Sequence, residues 1–331
     1  MDSDTLTRDR LCSGLCLPIA PIAVTEGRFD ASRQKLLWRY YATAGAGGAV
    51  VDLLGAPPAR RRELLESIGA APAQVEGESF LRIALVDEAE SLQLAGELHA
   101  AGIQAIAIAL DEAATGSLEE LLGLFHAVGE TLPLIIYPQG SGTRRLSSIE
   151  DWRRLLEIPQ VMAVCSPAHR PTTVTAIRAL AETRRKDICV YTANEINPVV
   201  DLVTPFRYTL GTKSIDRRAV GGMLRLWGVF TARAAQLLER CHVVAQRGAI
   251  PDELLQVSVE VSELSLALAD ENYAGIREVL ARQQFLLDNR DAEGKLPSPA
   301  VIKRAAIAIE NHPHLTDFAF VAARLAKWAE E

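Results

Sequence analysis

The sequence is poor in lysine, with six among its 331 residues. Of these, only Lys213 falls at the end of a segment with the composition of a β-strand. Basic residues are also outnumbered by acidic ones, 35 against 42, which gives a formal net charge of −7. Because binding to nucleic-acid phosphates requires clustered lysine and arginine, this balance argues against a general nucleic-acid-binding protein.

Long hydrophobic runs are missing too. Every apolar run is far shorter than the ~20 residues that cross a bilayer. The first ten residues, MDSDTLTRDR, are polar and acidic. They do not show the basic stretch followed by an apolar stretch that marks a secretory signal. We therefore expect a cytoplasmic protein that does not enter a membrane.

Cysteine is scarce and scattered. The five cysteines are an odd set without the paired spacing of a zinc site, which predicts free thiols. Carboxylates at predicted strand ends include Asp52, Asp111 and Glu112. Oxygen ligands of this kind bind divalent cations, but no HxH, HExxH or DxD motif accompanies them. We predict neither a metal site nor another cofactor.

What the sequence does contain is a repeated alternation of apolar and helical segments. Nearly continuous apolar runs are typical of parallel strands that are covered on both faces. Helical patterns with cap residues such as Asp30 and Ser117 lie between these runs. The eight predicted strands are 14–24, 49–54, 81–86, 105–110, 134–139, 161–166, 188–193 and 207–215. This alternation predicts a (β/α)8 TIM barrel.

The other fold that alternates in this way is the doubly wound open sheet. It normally has a glycine-rich loop after its first strand, whereas residues 20–28 read APIAVTEGR. Beyond about residue 245 only helical patterns follow. We therefore predict a barrel over 1–245. A helical extension over 246–331 should pack on the barrel without forming an independent domain.

Four segments occur in a characteristic order along this pattern. They are GLCLPIAPIAVTEGRFD (14–30), GAGGAVV (45–51), IIYPQGSGT (135–143) and SPAVIKRAAI (298–307). Together they resemble the dihydrodipicolinate synthase / N-acetylneuraminate lyase family of class I aldolases over roughly residues 14–310. The resemblance implies a small keto or carboxylate substrate and a homodimer or homotetramer.

The same resemblance assigns residues to the family's chemistry. In that family a lysine on the sixth strand forms an imine that acts as an electron sink, and a tyrosine on the fifth strand moves protons. The tyrosine corresponds to Tyr137, whereas Cys165 occupies the lysine position. The carboxylate-binding loop reads DLLGAPP (52–58), without the family's threonines and glutamate. The resemblance therefore implies a divergent member without dihydrodipicolinate synthase activity.

Three candidate catalytic residues remain, each with a plainer alternative. Lys213 can supply an imine-forming amine if it faces the barrel lumen, or it can simply face solvent or pair with Asp216. Cys165 is either a thiol activated by a cationic neighbour or a small apolar filler of the core. Tyr137 is either a proton shuttle or an amphipathic residue at the barrel mouth.

Candidate substrate-binding residues lie at strand ends. They are Arg144, Asn194, Glu195 and Asp52, of which Arg144 can clamp a carboxylate or face solvent. Two functions stay open. The first is an aldolase/lyase-superfamily enzyme with altered chemistry that acts on a small keto or carboxylate compound. The second is a catalytically silent relative that binds a metabolite or a partner protein. Whether Lys213 and Tyr137 share one cavity separates them.

Overall fold

Eight parallel strands close into a barrel in the computed structural model, which describes residues 3–75, 77–183, 185–269, 273–291 and 293–330. The strands are β1 (Cys16–Ala20), β2 (Gly48–Asp52), β3 (Leu81–Asp87), β4 (Ala105–Leu110), β5 (Leu134–Pro138), β6 (Val161–Ser166), β7 (Cys189–Thr192) and β8 (Ala219–Leu224). Each strand pairs with its neighbours in chain order, and β8 pairs with β1. The predicted (β/α)8 barrel is confirmed.

Both faces of these strands are apolar because each face has a layer to pack against. Successive side chains of a strand point to opposite faces, so Val50 of β2 lies in the lumen cluster while Val51 packs under the outer helices. Likewise, Leu85 of β3 faces the lumen and Ala84 faces outward. The lumen is a packed core rather than a pore, as is typical of this barrel.

Fourteen α-helices are described. Those of the barrel region are α1 (Ser3–Cys12), α2 (Ala31–Thr43), α3 (Pro58–Ile68), α4 (Glu88–Ala100), α5 (Leu118–Gly129), α6 (Ile149–Leu156), α7 (Arg170–Glu182), α8 (Pro198–Val203) and α9 (Thr231–Arg247). The predicted caps form at Asp30 and Ser117, which accept the N–H groups of Arg33 and Glu120. No helix in the described ranges is long and apolar enough to cross a membrane.

The prediction for the eighth strand was wrong. Segments Phe206–Leu210 and Lys213–Arg217 form an antiparallel hairpin outside the barrel, and the strand that closes it is β8. The hairpin's aromatic and β-branched residues resemble those of a core strand, whereas β8 contains the poor strand formers Gly221 and Gly222. These glycines are required because a Cβ at either position would collide with a neighbouring aromatic ring.

The chain ends in five further helices: α10 (Asp252–Leu268), α11 (Ala274–Arg282), α12 (Pro299–Asn311), α13 (Phe318–Ala322) and α14 (Leu325–Glu330). Helix α10 packs against α8 and α12, and α14 packs against α2. The predicted boundary at residue 245 falls in the last turn of α9. That these helices are an extension rather than an independent domain stays a prediction.

One buried carboxylate joins this C-terminal region to the barrel. Asp317, only 1% exposed, accepts the N–H groups of Ala232 and Arg233 in the first turn of α9, at 2.7 and 3.1 Å. It also accepts the hydroxyl of Tyr40 from α2 at 2.7 Å. A carboxylate at a helix N-terminus satisfies donors that have no partner within the helix. Asp317 therefore caps α9 from a segment far along the chain.

Replacing Asp317 with alanine should destabilise the whole protein. The change removes the cap of α9 and leaves the buried Tyr40 hydroxyl with one acceptor fewer, at a cost of about 3 kcal/mol. Urea denaturation followed by circular dichroism measures the loss. D252A is the matched control, because Asp252 lies in the exposed first turn of α10. Equal stability of D317A and D252A would contradict the view that the contacts of Asp317 with α9 and Tyr40 stabilise the fold.

Candidate functional site

Polar side chains meet at the carboxyl ends of the barrel strands, where active sites of this fold lie. Asp52 ends β2, Tyr137 lies near the end of β5, Glu195 follows β7 and Arg225 directly follows β8. The guanidinium of Arg225 lies 3.7 Å from a carboxylate oxygen of Asp52 and 3.9 Å from one of Glu195. Arg225 therefore bridges two carboxylates at the barrel mouth.

The backbone fixes Glu195 relative to Arg225. One carboxylate oxygen of Glu195 accepts the backbone N–H of Arg225 at 2.7 Å, and the other accepts that of Leu226 at 3.3 Å. The loop after β7 is thereby held to the end of β8. Because both oxygens of Glu195 are engaged, its carboxylate keeps one orientation beside the guanidinium.

A residue from the C-terminal helices completes the cluster. The hydroxyl of Tyr273 donates to Asp52 and accepts from Nε of Arg225. Its ring lies under the guanidinium carbon, 4.9 Å from it, in a cation–π contact. Tyr273 precedes α11 with a φ of 59°, a left-handed conformation that is uncommon for a bulky residue. Such strain persists where the surrounding contacts enforce it.

Burial shifts the protonation equilibria of this cluster. It raises the pKa of the Asp52 and Glu195 carboxyls above their ordinary values, and the positive charge of Arg225 offsets part of each rise. Burial also raises the pKa of the Tyr137 phenol, which the Arg225 charge again partly offsets. Tyr137 therefore stays protonated at neutral pH, while the two carboxyls hold protons more tightly than free ones.

A cavity of about 300 Å³ opens beside this cluster. Arg225, Glu195 and Tyr273 form its polar side. The rest of its lining comes from the segment that follows β8, from the C-terminal end of α10 and from α11, and consists of Leu226, Ser265, Leu268, Ala269 and Ile276. A concave site with a few convergent polar groups and shifted pKa values is the usual form of a ligand site.

Cys165 and Tyr137 both belong to the lumen cluster. Cys165 is fully buried on β6, and burial raises the pKa of its thiol. The thiol is therefore protonated at neutral pH, as suits a small apolar filler better than a nucleophile. Tyr137 is 4% exposed, and the charges of Arg225, Glu195 and Asp52 all act on it. The structure thus brings Tyr137 together with Asp52 and Glu195.

Of the alternatives for Lys213, the structure shows the one in which the side chain faces solvent. It lies exposed on the hairpin outside the barrel and does not share a cavity with Tyr137. Nor does it pair with Asp216, whose carboxylate bonds to Arg207 at 2.9 Å. The reason is topological: the strand next to β1 is β8, which contains no lysine. The remaining lysines also lie away from the eight barrel strands, on helices (Lys35, Lys303 and Lys327) or in connecting segments (Lys186 and Lys295).

Two predicted binding residues lie away from the cluster. Arg144 is exposed and lines a separate surface groove with Asp111 and Glu112. The side chain of Asn194 supports its own loop, because its oxygen accepts the N–H groups of Ile196 and Asn197 at 3.2 and 3.1 Å. Within the described ranges, no three potential metal-ligating side chains form a group that could hold a metal ion.

Sequence reasoning missed Arg225 and Tyr273. The misplaced eighth strand hid Arg225, which is otherwise recognisable because it is the first residue after a barrel strand. Tyr273 had no comparable signal. It comes from the helical region and reaches Asp52 across 221 positions of sequence.

Replacing Arg225 with methionine should destabilise the protein more at pH 8 than at pH 5. The pKa values of Asp52 and Glu195 are raised in the folded state. Ionisation therefore costs stability as pH rises, and without Arg225 that cost is larger. We expect the free energy of unfolding to fall by about 2 kcal/mol at pH 8. This is less than the loss for a fully buried ion pair, because Arg225 is partly exposed.

Urea denaturation at both pH values measures this difference. R207M is the control, since Arg207 forms an exposed ion pair with Asp216 on the hairpin and should change little at either pH. A loss for R225M that is the same at pH 5 and pH 8 would show that Asp52 and Glu195 are not coupled to the guanidinium.

Similarity to known proteins is structural. No family model and no curated protein sequence matches the chain. A monomeric dihydrodipicolinate synthase variant is 14% identical, covers 94% of this chain and 99% of its own length, and superposes with a TM-score of 0.72. The synthase of Agrobacterium tumefaciens is 18% identical, covers 93% of this chain and 99% of its own length, and superposes with a TM-score of 0.71. The synthase of Thermotoga maritima is 14% identical, covers 91% of this chain and 99% of its own length, and superposes with a TM-score of 0.71. At these identities the likeness shows that the chain has the fold of dihydrodipicolinate synthase.

Proposed function

We propose that this protein is a divergent member of the dihydrodipicolinate synthase / N-acetylneuraminate lyase family. It binds a small keto or carboxylate compound at the barrel mouth and acts on it without an imine. The observation that carries this proposal is the partly buried Arg225, set between Asp52 and Glu195 at the edge of a cavity. A guanidinium in such a place is suited to bind a carboxylate.

The imine-free part of the proposal rests on the positions of the lysines. Imine formation requires an amine in the lumen that attacks the carbonyl carbon. None of the six lysines lies on a strand of the barrel, and β6 presents Cys165 to the lumen. A hemithioacetal on Cys165 would not delocalise an electron pair as an iminium does. Dihydrodipicolinate synthase activity is accordingly not proposed.

The cluster does contain the groups needed for proton transfer. In the proposed step, the carboxylate of Glu195 or Asp52 removes a proton from the carbon next to the ligand's carbonyl. The electron pair moves to the carbonyl oxygen, and Arg225 stabilises the resulting enolate. In the reverse direction the same carboxyl group, now protonated, returns its proton to the carbon, or a deuteron that it has exchanged with solvent. The phenol of Tyr137 stays protonated and donates a hydrogen bond to the enolate oxygen. Raised carboxyl pKa values favour such a base near neutral pH.

The second candidate function is a catalytically silent relative that binds a metabolite or a partner protein. Two observations favour it. Lys213 shares no cavity with Tyr137, and in the loop after β2 Leu53 is 1% exposed while Leu54 packs against the lumen cluster. Apolar side chains thus occupy the place where the family binds its substrate carboxylate. In either case we propose a cytoplasmic protein that assembles as a homodimer or homotetramer.

Trapping with borohydride tests the imine-free chemistry. Wild-type protein incubated with pyruvate and borohydride should show no adduct by peptide mass spectrometry, and no condensation of pyruvate with aspartate semialdehyde. C165K should be labelled at position 165, because a buried amine has a lowered pKa and is nucleophilic. L266K, on the exposed face of α10, controls for non-specific labelling. A stoichiometric adduct on any wild-type lysine would overturn the proposal.

Exchange of ligand protons in D2O tests for catalysis. Proton NMR should show that the wild type speeds deuterium incorporation next to the carbonyl of a bound 2-oxo acid. In E195Q, which lacks a proposed base, the rate of deuterium incorporation should be about a hundredfold lower. The control is E112Q, whose carboxylate lies in the separate surface groove. Binding without accelerated exchange would instead establish the silent-relative function.

A further inference from the structure

The lining of the cavity at the barrel mouth combines charged and apolar groups. The Arg225 cluster supplies the charge, and Leu226, Leu268 and Ile276 supply apolar surface. The other polar side chain of the lining, that of Ser265, donates its hydroxyl to the backbone oxygen of Glu195 and is therefore already engaged. A ligand that fills this cavity meets both a guanidinium and hydrocarbon.

The guanidinium of Arg225 has an open face. Its Nε donates to Tyr273, but its two terminal nitrogens contact the carboxylates only at 3.7 and 3.9 Å. These separations exceed hydrogen-bonding distance. Among the described residues no other partner lies within hydrogen-bonding distance of them. Two parallel N–H donors at the edge of a cavity match the geometry of a carboxylate.

The size of the cavity limits the ligand. A volume of about 300 Å³ corresponds to roughly ten non-hydrogen atoms, since a water molecule takes about 30 Å³ in the liquid. Pyruvate fills little more than half of that space. A 2-oxo acid with a branched side chain of about four carbons fills nearly all of it, and each buried methylene favours binding.

We propose that the cavity binds 2-oxo acids with an apolar side chain, with the carboxylate on Arg225 and the side chain against Leu226, Leu268 and Ile276. This inference rests on the proposed function and adds the class of substrate. It predicts that the affinity for 2-oxo acids increases with the length of the side chain until the side chain fills the cavity, and that it decreases for longer side chains.

Calorimetric titration of the full-length protein tests this preference. The probes are pyruvate, 2-oxobutanoate and 4-methyl-2-oxopentanoate, with 4-methylpentan-2-one as the probe without a carboxylate. We expect 4-methyl-2-oxopentanoate to bind at least about tenfold more tightly than pyruvate, and the ketone not to bind measurably. R225Q should lose binding of every acid.

Two cavity variants locate the side-chain pocket. I276W fills the space beside the apolar lining and should remove the preference for 4-methyl-2-oxopentanoate while pyruvate still binds. L268F is a milder second variant in case I276W does not fold, as judged by near-ultraviolet circular dichroism. The matched control is L266W, since Leu266 lies on the exposed face of the same helix as Leu268. It should bind all probes as the wild type does.

The outcomes separate this inference from the proposed function. If pyruvate binds as tightly as 4-methyl-2-oxopentanoate, or if the filled cavity keeps the preference, the apolar-side-chain class is wrong and the carboxylate site stands. If no acid binds the wild type, both proposals fail. The inference is supported if affinity increases with the length of the side chain in the wild type and in L266W, and if this increase is lost in I276W or L268F.

Discussion

The contact on which the barrel mouth depends is that of Arg225 with Asp52, Glu195 and Tyr273. Its guanidinium joins the end of β2, the loop after β7, the end of β8 and the start of α11. Burial raises the pKa of both carboxyls, and the positive charge of the guanidinium offsets part of that rise. One cation therefore sets both the charge state and the geometry of the site.

The C-terminal helices contribute to the site as well as to stability. Asp317 caps α9 and bonds to Tyr40, which fixes this part of the chain against the barrel. Tyr273 then extends from the same part of the chain to the carboxylate of Asp52. The wall of the cavity comes largely from α10 and α11. Removing these helices would take away half of the proposed ligand site.

Inside the barrel the chemistry is sparse. β6 places a buried, protonated thiol, Cys165, in the largely apolar lumen cluster, and Leu54 of the loop after β2 packs against that cluster. At the mouth the charges of the Arg225 cluster act on Tyr137, whereas the hydroxyl of Tyr191 bonds to the backbone of Leu11 and Leu15 at the amino ends of the strands. This distribution directs a ligand to the cavity above the lumen. It is also why we propose proton transfer by carboxylates rather than imine chemistry on a lysine.

The sequence by itself determined the fold class, because buried strands such as 105–110 and 161–166 and the caps at Asp30 and Ser117 are local signals. It also offered Glu195 and Asp52 as site candidates from their places at strand ends, and Tyr137 from the family resemblance. Only the tertiary structure decided which segment closes the barrel, since a solvent-exposed hairpin resembles a strand locally and β8 does not. It alone brought Arg225 and Tyr273 together, because contacts between residues so distant in sequence depend on packing of the whole chain.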